Sequence, residues 1–225
     1  MRAIWAIVPI KDLSHAKQRL AGLLNEAERR ALGLAMLEDV LTALRQSRTL
    51  SGILVVTGDR DAEKLARGLG ARILAEPDTP GLNPAVTSAA HLLVREKTAG
   101  ACIVHGDAPL MKPEEIERLV HALGAAPAMA IAPDAAGGGT NGLALCPPDL
   151  IAFHYGANSF QAHLQAAAAH GITPQILQLS GLAFDIDAPD QLFTLAAAGG
   201  HTRAQEFLRG LQVESRTQTP AQGVK

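Results

Sequence analysis

Aromatic residues, net charge and cysteines are all scarce in this chain. Phe, Trp and Tyr make up 3% of the residues, so base-stacking surfaces for single-stranded nucleic acid are not expected. The formal net charge of −2 provides no attraction to nucleic acid or to an anionic membrane. Cys102 and Cys146 lie inside apolar runs and are interpreted as buried, reduced thiols. The composition therefore points away from nucleic acid, membranes and disulfide chemistry.

Long apolar runs and several familiar motifs are also absent. No run approaches the roughly 18 apolar residues of a membrane helix. The apolar run 3–10 is short and Lys11 follows it at once, so no signal peptide is expected and the cytoplasm is the predicted location. A P-loop, a G-x-G-x-x-G after the first strand, a zinc-type His spacing and a G-x-S-x-G are all missing. Dehydrogenase, zinc and serine hydrolase chemistry therefore lack support.

Apolar runs alternate with helical patterns along the chain, which predicts an α/β fold with a mostly parallel sheet covered on both faces. Pro9 is expected to end the first strand. The domain prediction is one unit, 1–212, followed by a flexible tail, 213–225. The predicted strands are 3–8, 52–57, 72–75, 101–105, 129–133, 142–146 and 173–179, and the predicted helices are 26–46, 59–69, 84–97, 112–123, 159–170, 190–198 and 202–211.

Three cations follow the first predicted strand. Lys11, Lys17 and Arg19 lie in the segment VPIKDLSHAKQRL, where the chain leaves the sheet. Lys offers a compact charge and Arg a fork that holds two phosphate oxygens, which suits a triphosphate. The alternative is three solvated cations at a helix start. Their place after a strand favours a phosphate site, because ligands of such sheets bind at the carboxyl ends of the strands.

Acidic residues follow two other apolar runs. Asp107 lies in IVHGDAPL, and Asp185 and Asp187 lie in FDIDAPDQL. In an extended segment residues i and i+2 face the same way, so the last two can serve one metal region. Mg²⁺ typically takes one or two carboxylates together with phosphate oxygens and water. A role as helix cap stays open for Asp187, which precedes Ala188 and Pro189.

Glycine-containing loops supply further candidates. In GLNPA, Gly81 permits close approach of a base or ribose. Asn83 either bonds a base edge or caps the following helix, and the cap is the safer interpretation. The loop GGGTN, 137–141, is either a flexible tip or a loop that closes on a substrate. These loops are candidates for contacts with a nucleotide or a substrate.

The segment YGANSF, 155–160, ends at a predicted helix start. Backbone N–H groups and Ser159 there form a candidate anion site for a carboxylate or phosphate. A plain helix cap at Asn158 or Ser159 is compatible with that role. Among the histidines, His105 is interpreted as a packed residue rather than a catalytic base, and His163 as a weaker candidate for the substrate site.

Together these motifs resemble the 2-phospho-L-lactate guanylyltransferase family of coenzyme F-420 biosynthesis, whose bacterial relatives use phosphoenolpyruvate or 3-phospho-D-glycerate. The resemblance spans most of the chain and is carried by VPIKDLSHAKQRL, HGDAPL, GTNGL, YGANSFQAH and DIDAPDQL. It implies the nucleotide-diphospho-sugar transferase fold, a three-layer α/β/α Rossmann-like fold with a mostly parallel mixed sheet. Ala108 departs from the family, where a larger apolar residue is expected, and should alter packing rather than chemistry.

The resemblance implies transfer of GMP from GTP to a three-carbon phospho-acid, with release of pyrophosphate and with Mg²⁺, or Mn²⁺, as the cofactor. The implied metal ligands are Asp107, Asp185 and Asp187; the nucleotide-binding residues are Lys11, Lys17, Arg19, Gly81, Asn83 and Asp107; the acceptor-binding residues are Thr140, Asn141, Gly156 and Ser159; and the catalytic residues are Lys11, Lys17, Arg19 and Asp107.

Other functions stay open at this point. Another nucleotidyltransferase of the same fold would act on a sugar phosphate or a molybdopterin, and a glycosyltransferase would use a nucleotide sugar. A non-catalytic module would bind GTP without releasing pyrophosphate. The expected partners are GTP and a small phospho-acid, without nucleic acid or membrane, and a homodimer is an alternative to a monomer.

Overall fold

The computed structural model describes residues 3–13 and 17–216. Strands and helices alternate along this part of the chain, and short 3-10 helices occur at Gln18–Leu20 and Val213–Ser215. The strands are β1 Ile4–Ile10, β2 Gly52–Thr57, β3 Arg72–Leu74, β4 Gly100–Val104, β5 Ala128–Pro133, β6 Thr140–Cys146 and β7 Gln175–Ile176. The helices are α1 Glu26–Gln46, α2 Arg60–Gly68, α3 Leu82–Arg95, α4 Pro113–His121, α5 Ser159–Ala169, α6 Pro189–Ala197 and α7 Arg203–Gly210.

The strands form one mixed sheet of seven strands in the order β3-β2-β1-β4-β6-β5-β7. Parallel pairing joins β3 to β2, β2 to β1, β1 to β4 and β5 to β7, whereas β6 runs antiparallel to both β4 and β5. Val104 at the end of β4 lies opposite Gly142, near the start of β6. The start of β6 therefore reaches the same edge of the sheet as the carboxyl ends of β1 and β4.

Both faces of the sheet are covered by helices. Along β1, Ala6 and Val8 face a core that contains residues of α1, α2 and α4, whereas Ile7 faces the opposite core with residues of α3 and α5. Side chains of successive strand residues point to opposite faces, so a strand buried on both faces is continuously apolar. These three layers confirm the predicted α/β/α architecture.

A further pair of helices packs on the outside of α1. Leu32 and Met36 of α1 form a third apolar cluster with residues of α6 and α7. The carboxylate of Asp39 accepts hydrogen bonds from the backbone N–H groups of Arg203 and Ala204 at 2.7 and 2.9 Å. A carboxylate at these N–H groups satisfies donors that have no partner within the helix, and it fixes the start of α7 on α1.

Several predicted boundaries were wrong. β1 does not end at Pro9, which pairs with Val56 of β2. Proline has no N–H to donate, but the ladder between β1 and β4 already stops at Ile7, so no residue of β4 needs a hydrogen bond from Pro9. The strand predicted over 173–179 shortens to Gln175–Ile176 at the edge of the sheet. In the part of the chain described here, no helix is long and apolar enough to cross a membrane.

The domain boundary at residue 212 stays a prediction, but the residues that follow it contact the rest of the protein. Val213 is buried in the third apolar cluster, and the guanidinium of Arg216 pairs with Glu28 at 2.8 Å. Residues 213–216 therefore pack on the body of the protein, and the rest of the predicted tail, 217–225, lies outside the described residues. Cys102 and Cys146 are buried and free of disulfides, as predicted, and burial raises the pKa of Cys102 to about 12.

Candidate active site

A cavity of about 450 Å³ opens at the carboxyl ends of β1 and β4. The two strands are parallel neighbours in the centre of the sheet, so the chain leaves both of them at the same edge. This edge is where ligands bind in open α/β sheets. The polar part of the wall and its neighbourhood include Lys11, Lys17, His105, Asp107 and Asp187.

The ammonium of Lys17 bridges two carboxylates in this cavity. Its Nζ donates to Asp107 Oδ2 at 2.7 Å and to Asp187 Oδ1 at 2.8 Å. The Lys17 side chain is 10% exposed, whereas those of Asp107 and Asp187 are 31% and 49% exposed. The geometry brings Lys17 together with two residues that lie 90 and 170 positions further along the sequence and that the motifs singled out separately.

Electrostatics keep this ion pair charged at neutral pH. Burial acts to lower the pKa of Lys17, but the two carboxylates outweigh burial and raise that pKa. Burial acts to raise the pKa of Asp107, but the charges of Lys17 and His105 hold that pKa below its usual range. The cavity therefore presents one fixed cation and two acids at its base.

The third predicted acid lies close to the other two but has a different partner. Asn141 Nδ2 donates to Asp185 Oδ1 at 3.3 Å. Burial raises the pKa of Asp185, and the negative charges of Asp107 and Asp187 raise it further. The backbone also joins the two acidic segments, because the N–H of Ile186 donates to the carbonyl oxygen of Asp107 at 3.3 Å.

The chemistry of these acids fits a divalent cation. The Lys17 ammonium marks a point within 2.8 Å of oxygens from both Asp107 and Asp187, so two hard ligands already converge on one position that favours positive charge. Within residues 3–13 and 17–216, however, no three His, Cys, Asp or Glu side chains form a ready metal-binding group. Because Mg²⁺ commonly takes only one or two protein carboxylates, the first two acids suffice for the fit.

The remaining two predicted cations differ in position. Lys11 directly follows β1, is exposed and lines the cavity. Arg19 is also exposed, but it lies on the short 3-10 helix and is not part of the cavity wall. The structure thus brings Lys11 together with Lys17 and the acids and leaves Arg19 outside this group. Residues 14–16 of the same motif lie outside the described residues.

The loop at Gly81 and Asn83 also reaches the cavity, but Asn83 does not cap α3. The N-cap position belongs to Gly81, whose φ of 132° suits glycine, and the adjacent Leu82 lines the cavity. Asn83 Nδ2 donates to the carbonyl oxygen of Tyr155 at 3.0 Å, and Asn83 Oδ1 accepts from the Tyr155 N–H at 2.7 Å. Both ends of the amide therefore hold the loop before α5.

Two of the predicted acceptor residues, Thr140 and Ser159, belong to a buried cluster beside the cavity, whereas Gly156 is exposed. Thr140 Oγ1 lies 3.0 Å from His163 Nδ1, and Ser159 Oγ donates to Thr140 Oγ1 at 3.4 Å. The ring of His105, which lines the cavity, donates from Nε2 to the carbonyl oxygen of Thr140 at 3.1 Å. Gly156 lies in the preceding turn, where its carbonyl oxygen accepts from the Ser159 N–H at 3.2 Å.

Two helix-cap interpretations do not hold in the structure. The N-cap of α6 is Ala188, so the side chain of Asp187 is left to pair with Lys17. At α5 the N-cap position belongs to Asn158, whose side chain makes no capping hydrogen bond and whose backbone is left-handed with a φ of 57°. Neither Asp187 nor Ser159 is therefore the N-cap residue of a helix, which was the alternative role predicted for each.

Sequence reasoning missed Asp59, a buried acid that organises the loop after β1. Its carboxylate accepts from the N–H groups of Leu13, Asp61 and Ala62 and from both terminal nitrogens of Arg30, at 2.8 to 3.0 Å. Burial acts to raise the pKa of Asp59, but Arg30 and the N–H groups lower it to about 2. Its sequence signal was its place just after a strand, the criterion that singled out the acid in HGDAPL.

Relatives of this chain are named as guanylyltransferases with three different acceptors. It is 37% identical to a phosphoenolpyruvate guanylyltransferase of Rubrobacter xylanophilus, over 88% of this chain and 96% of that protein. It is 34% identical to a 3-phospho-D-glycerate guanylyltransferase of Colwellia psychrerythraea, over 84% and 90%. It is 33% identical to a 2-phospho-L-lactate guanylyltransferase of Methanothermobacter thermautotrophicus, over 92% and 90%.

Solved structures share the fold at low sequence identity. A protein of Desulfovibrio desulfuricans G20 described as a nucleotide-diphospho-sugar transferase superposes with a TM-score of 0.71 at 17% identity, over 94% of this chain and 96% of that one. Glucosyl-3-phosphoglycerate synthase of Mycobacterium tuberculosis, solved with Mn²⁺, uridine diphosphate and phosphoglyceric acid, superposes with a TM-score of 0.56 at 14% identity, over 79% and 69%. These likenesses confirm the predicted fold.

The match at the level of the family covers almost the whole chain. The family described as "Guanylyl transferase CofC like" matches residues 4–224, which include every segment that contributes to the cavity and to the buried cluster beside it. With relatives above 30% identity along most of their own length, this chain belongs to that guanylyl transferase family of nucleotidyltransferases.

Proposed function

We propose that this protein transfers GMP from GTP to a three-carbon phospho-acid and releases pyrophosphate. The candidate acceptors are phosphoenolpyruvate, 3-phospho-D-glycerate and 2-phospho-L-lactate, the substrates in the names of its relatives, and the proposed pathway is coenzyme F-420 biosynthesis. The observation that carries the proposal is the cluster of Lys17, Asp107 and Asp187 at the cavity of a chain from a guanylyl transferase family.

The proposed reaction needs no covalent enzyme intermediate. A phosphate oxygen of the acceptor attacks the α-phosphorus of GTP, and the bond from that phosphorus to the pyrophosphate oxygen breaks. Because the attacking oxygen is already anionic, no dedicated general base is required. The main obstacle is repulsion between two anions, which cationic groups at the site reduce while they stabilise charge on the departing pyrophosphate.

Specific residues of this chain are assigned to these tasks in the proposal. Lys11 and Lys17 hold phosphate oxygens at the cavity. Arg19, on the 3-10 helix outside the cavity wall, is proposed as a further phosphate contact. Asp107 and Asp187, with Asp185 beside them, would hold Mg²⁺ or Mn²⁺, which supplies Lewis-acid charge to the phosphates when bound. A structure of the same fold was solved with Mn²⁺ and a nucleotide, which supports a divalent cation here.

The two substrates are proposed to approach from different elements. The start of α3, with Gly81 and Asn83, would face the base of GTP, and Asn83 would act there by holding the Tyr155 loop in place. The acid groups of the acceptor would contact Thr140 and Asn141 at the start of β6, and Gly156 and Ser159 at the turn that leads into α5. The cytoplasm is the proposed location.

Pyrophosphate release tests the proposal directly. The protein is incubated with GTP and Mg²⁺ and with each of the three phospho-acids in turn, and release with one of them establishes guanylyl transfer and identifies the acceptor. Parallel reactions with ATP, CTP and UTP measure the preference for guanine. Binding of GTP without pyrophosphate release for any acceptor would contradict the proposal and favour a different acceptor or a non-catalytic module.

A further inference from the structure

A buried chain of hydrogen bonds lies behind the proposed acceptor site. His163 of α5 is fully buried, at 0% exposure, and Thr140 and Ser159 are 3% exposed. His163 Nε2 lies 3.0 Å from the backbone nitrogen of His154, and His163 Nδ1 lies 3.0 Å from Thr140 Oγ1. The proposed function assigns no role to this imidazole, although it contacts a residue that the proposal places on the acceptor.

The two hydrogen bonds determine which ring nitrogen carries the proton. A backbone N–H can only donate, so His163 Nε2 must accept from His154 with an unprotonated lone pair. In a neutral imidazole the proton is then on Nδ1, which donates to Thr140 Oγ1. Burial, with the nearby His154 and His105, lowers the pKa of His163 to about 4, so the ring is neutral at pH 7.

Packing and hydrogen bonds hold the ring of His163 in one orientation. The ring of Tyr155 meets that of His163 edge-on, with centroids 4.9 Å apart and planes at 72°. The backbone of Tyr155 is itself held by both ends of the Asn83 amide. A flip of the His163 ring would place Cε1 where Nε2 lies and Cδ2 where Nδ1 lies, so both hydrogen bonds would be lost.

The proton on His163 Nδ1 determines the hydrogen-bonding role of the Thr140 hydroxyl. Its oxygen accepts from His163 and, at 3.4 Å, from Ser159, so its acceptor capacity is filled and its own proton remains to be donated. We propose that His163 is a positioning residue that makes the Thr140 hydroxyl an obligate hydrogen-bond donor to an oxyanion of the acceptor. This inference rests on the proposed function, because it places the acceptor's carboxylate or phosphate at Thr140.

An obligate donor also shapes selectivity. A carboxylate or phosphate oxygen accepts this hydrogen bond, whereas an ammonium or amide N–H at the same place would meet a donor and leave both groups unsatisfied. The network therefore favours acceptors with an anionic oxygen at this point over amino analogues of the same size. The effect belongs to binding of the acceptor and not of GTP, whose base is proposed to face the start of α3.

A matched pair of variants separates the two hydrogen bonds of His163. In His163→Asn the amide nitrogen can occupy the position of Nδ1 and still donate to Thr140, while the contact with His154 is lost. In His163→Gln the longer side chain can reach the His154 N–H with its oxygen, while the donor to Thr140 is lost. We expect His163→Gln to raise the KM for the acceptor about tenfold with the KM for GTP unchanged, and His163→Asn to stay within about threefold of wild type.

The opposite order would overturn the inference. If His163 serves only to hold the His154 loop, His163→Asn should have the larger increase in acceptor KM. If His163 serves only to fill space, the two variants should have the same acceptor KM and the same kcat as each other. A double-mutant cycle sharpens the comparison: in a Thr140→Val background, His163→Gln should add no further increase in acceptor KM. Multiplicative effects would mean that the two residues act independently, contrary to the proposal.

The tautomer gives a readout that needs no turnover. Nitrogen-15 NMR of the wild-type protein labelled on histidine should show His163 protonated on Nδ1 and not on Nε2, with the signal assigned by its loss in His163→Gln. A proton on Nε2 would refute the inference even in an active enzyme. If wild type released no pyrophosphate with any acceptor, the proposed function would fail, while the tautomer would still decide whether His163 donates to Thr140.

Discussion

At the scale of single residues, the cavity depends on one cation shared by two acids. Lys17 has a left-handed backbone, with a φ of 53°, which is uncommon for a residue with a side chain. Its two short ion pairs reach the segments after β4 and before α6, so this conformation is held by contacts from outside its own loop. The same ion pairs indicate how the site responds when an acid is removed.

Replacement of Asp107 by alanine should abolish most turnover without unfolding the protein. The change removes a proposed metal ligand and leaves Lys17 paired with Asp187 alone, so we expect pyrophosphate release to fall at least about 100-fold. Urea unfolding should change little, since the Asp107 side chain is partly exposed. Asp149→Ala is the matched control, because Asp149 is exposed and follows the opposite end of β6. Turnover of Asp107→Ala close to that of the control would remove Asp107 from the proposed site.

Position after a strand predicted two of the charged residues that line the cavity. Lys11 and Asp107 follow β1 and β4, which deliver them to one edge of the sheet, whereas Asp187 lies just before α6 and follows no strand directly. The partners of Asn83 and His163 were not predictable. Tyr155 and Thr140 lie 72 and 23 positions away from them in sequence, on other segments. A local pattern shows that a polar side chain needs a partner but not which distant backbone or hydroxyl group supplies it.

At the scale of elements, Asp59 couples four segments of the candidate site. It caps α2, pairs with Arg30 of α1, follows β2 and accepts from the N–H of Leu13 in the loop after β1. The loop that carries Lys11 is thereby attached to the helix layer. Since an ionised Asp59 makes all these bonds, their contribution to stability must depend on pH.

Replacement of Asp59 by asparagine should destabilise the fold by about 2 kcal/mol at pH 7. The folded protein holds the pKa of Asp59 at about 2, below the ordinary 3.8, so between these values the unfolded chain binds more protons. The contribution of Asp59 is therefore complete above about pH 5 and is lost as the pH falls through 3.8 towards 2. Urea unfolding at pH 7 and pH 3 should show the gap between wild type and Asp59→Asn narrowing by roughly half.

A neighbouring acid provides the control for this prediction. Asp61 also pairs with Arg30 at 2.8 Å, but its side chain is 59% exposed. An exposed ion pair contributes little, so Asp61→Asn should cost at most about 0.5 kcal/mol and show no comparable change with pH. Equal destabilisation by the two variants would mean that the buried hydrogen bonds of Asp59 do not anchor this part of the structure.

Most elements were predictable because their patterns are strong. The bounds of α1 and β2 were predicted as they are found, since helical periodicity over six turns and a run of β-branched residues leave little choice. The strand predicted over 173–179 was too long because Gln175–Ile176 pairs on one side only, with β5. It pairs with only Ala130 and Ile131 of that neighbour, and the length of this pairing is a property of the sheet and not of the segment.

At the scale of the whole molecule, residues 213–216 pack against α6, α7 and the start of α1. Val213 packs with α6 and α7 in the third apolar cluster. Arg216 donates to Glu28 at 2.8 and 2.9 Å and to the carbonyl oxygen of Leu23 at 3.0 Å. Glu28 also completes the capping box of α1 with Asn25. We propose that the single cooperative domain extends through Arg216 instead of ending at residue 212.

This extent of the domain can be measured by truncating one buried side chain. Val213 is 1% exposed, so Val213→Ala removes buried methyl groups and should cost about 2 kcal/mol, which lowers the urea midpoint while the slope of unfolding stays constant. Glu214→Ala changes an exposed residue of the same 3-10 turn and should stay within about 0.5 kcal/mol of wild type. If both variants unfold like wild type, residues 213–216 lie outside the cooperative unit, and the boundary at 212 predicted from the sequence is the correct one. If only Val213→Ala is destabilised, the turn that follows α7 belongs to the same folding unit as the sheet and the cavity.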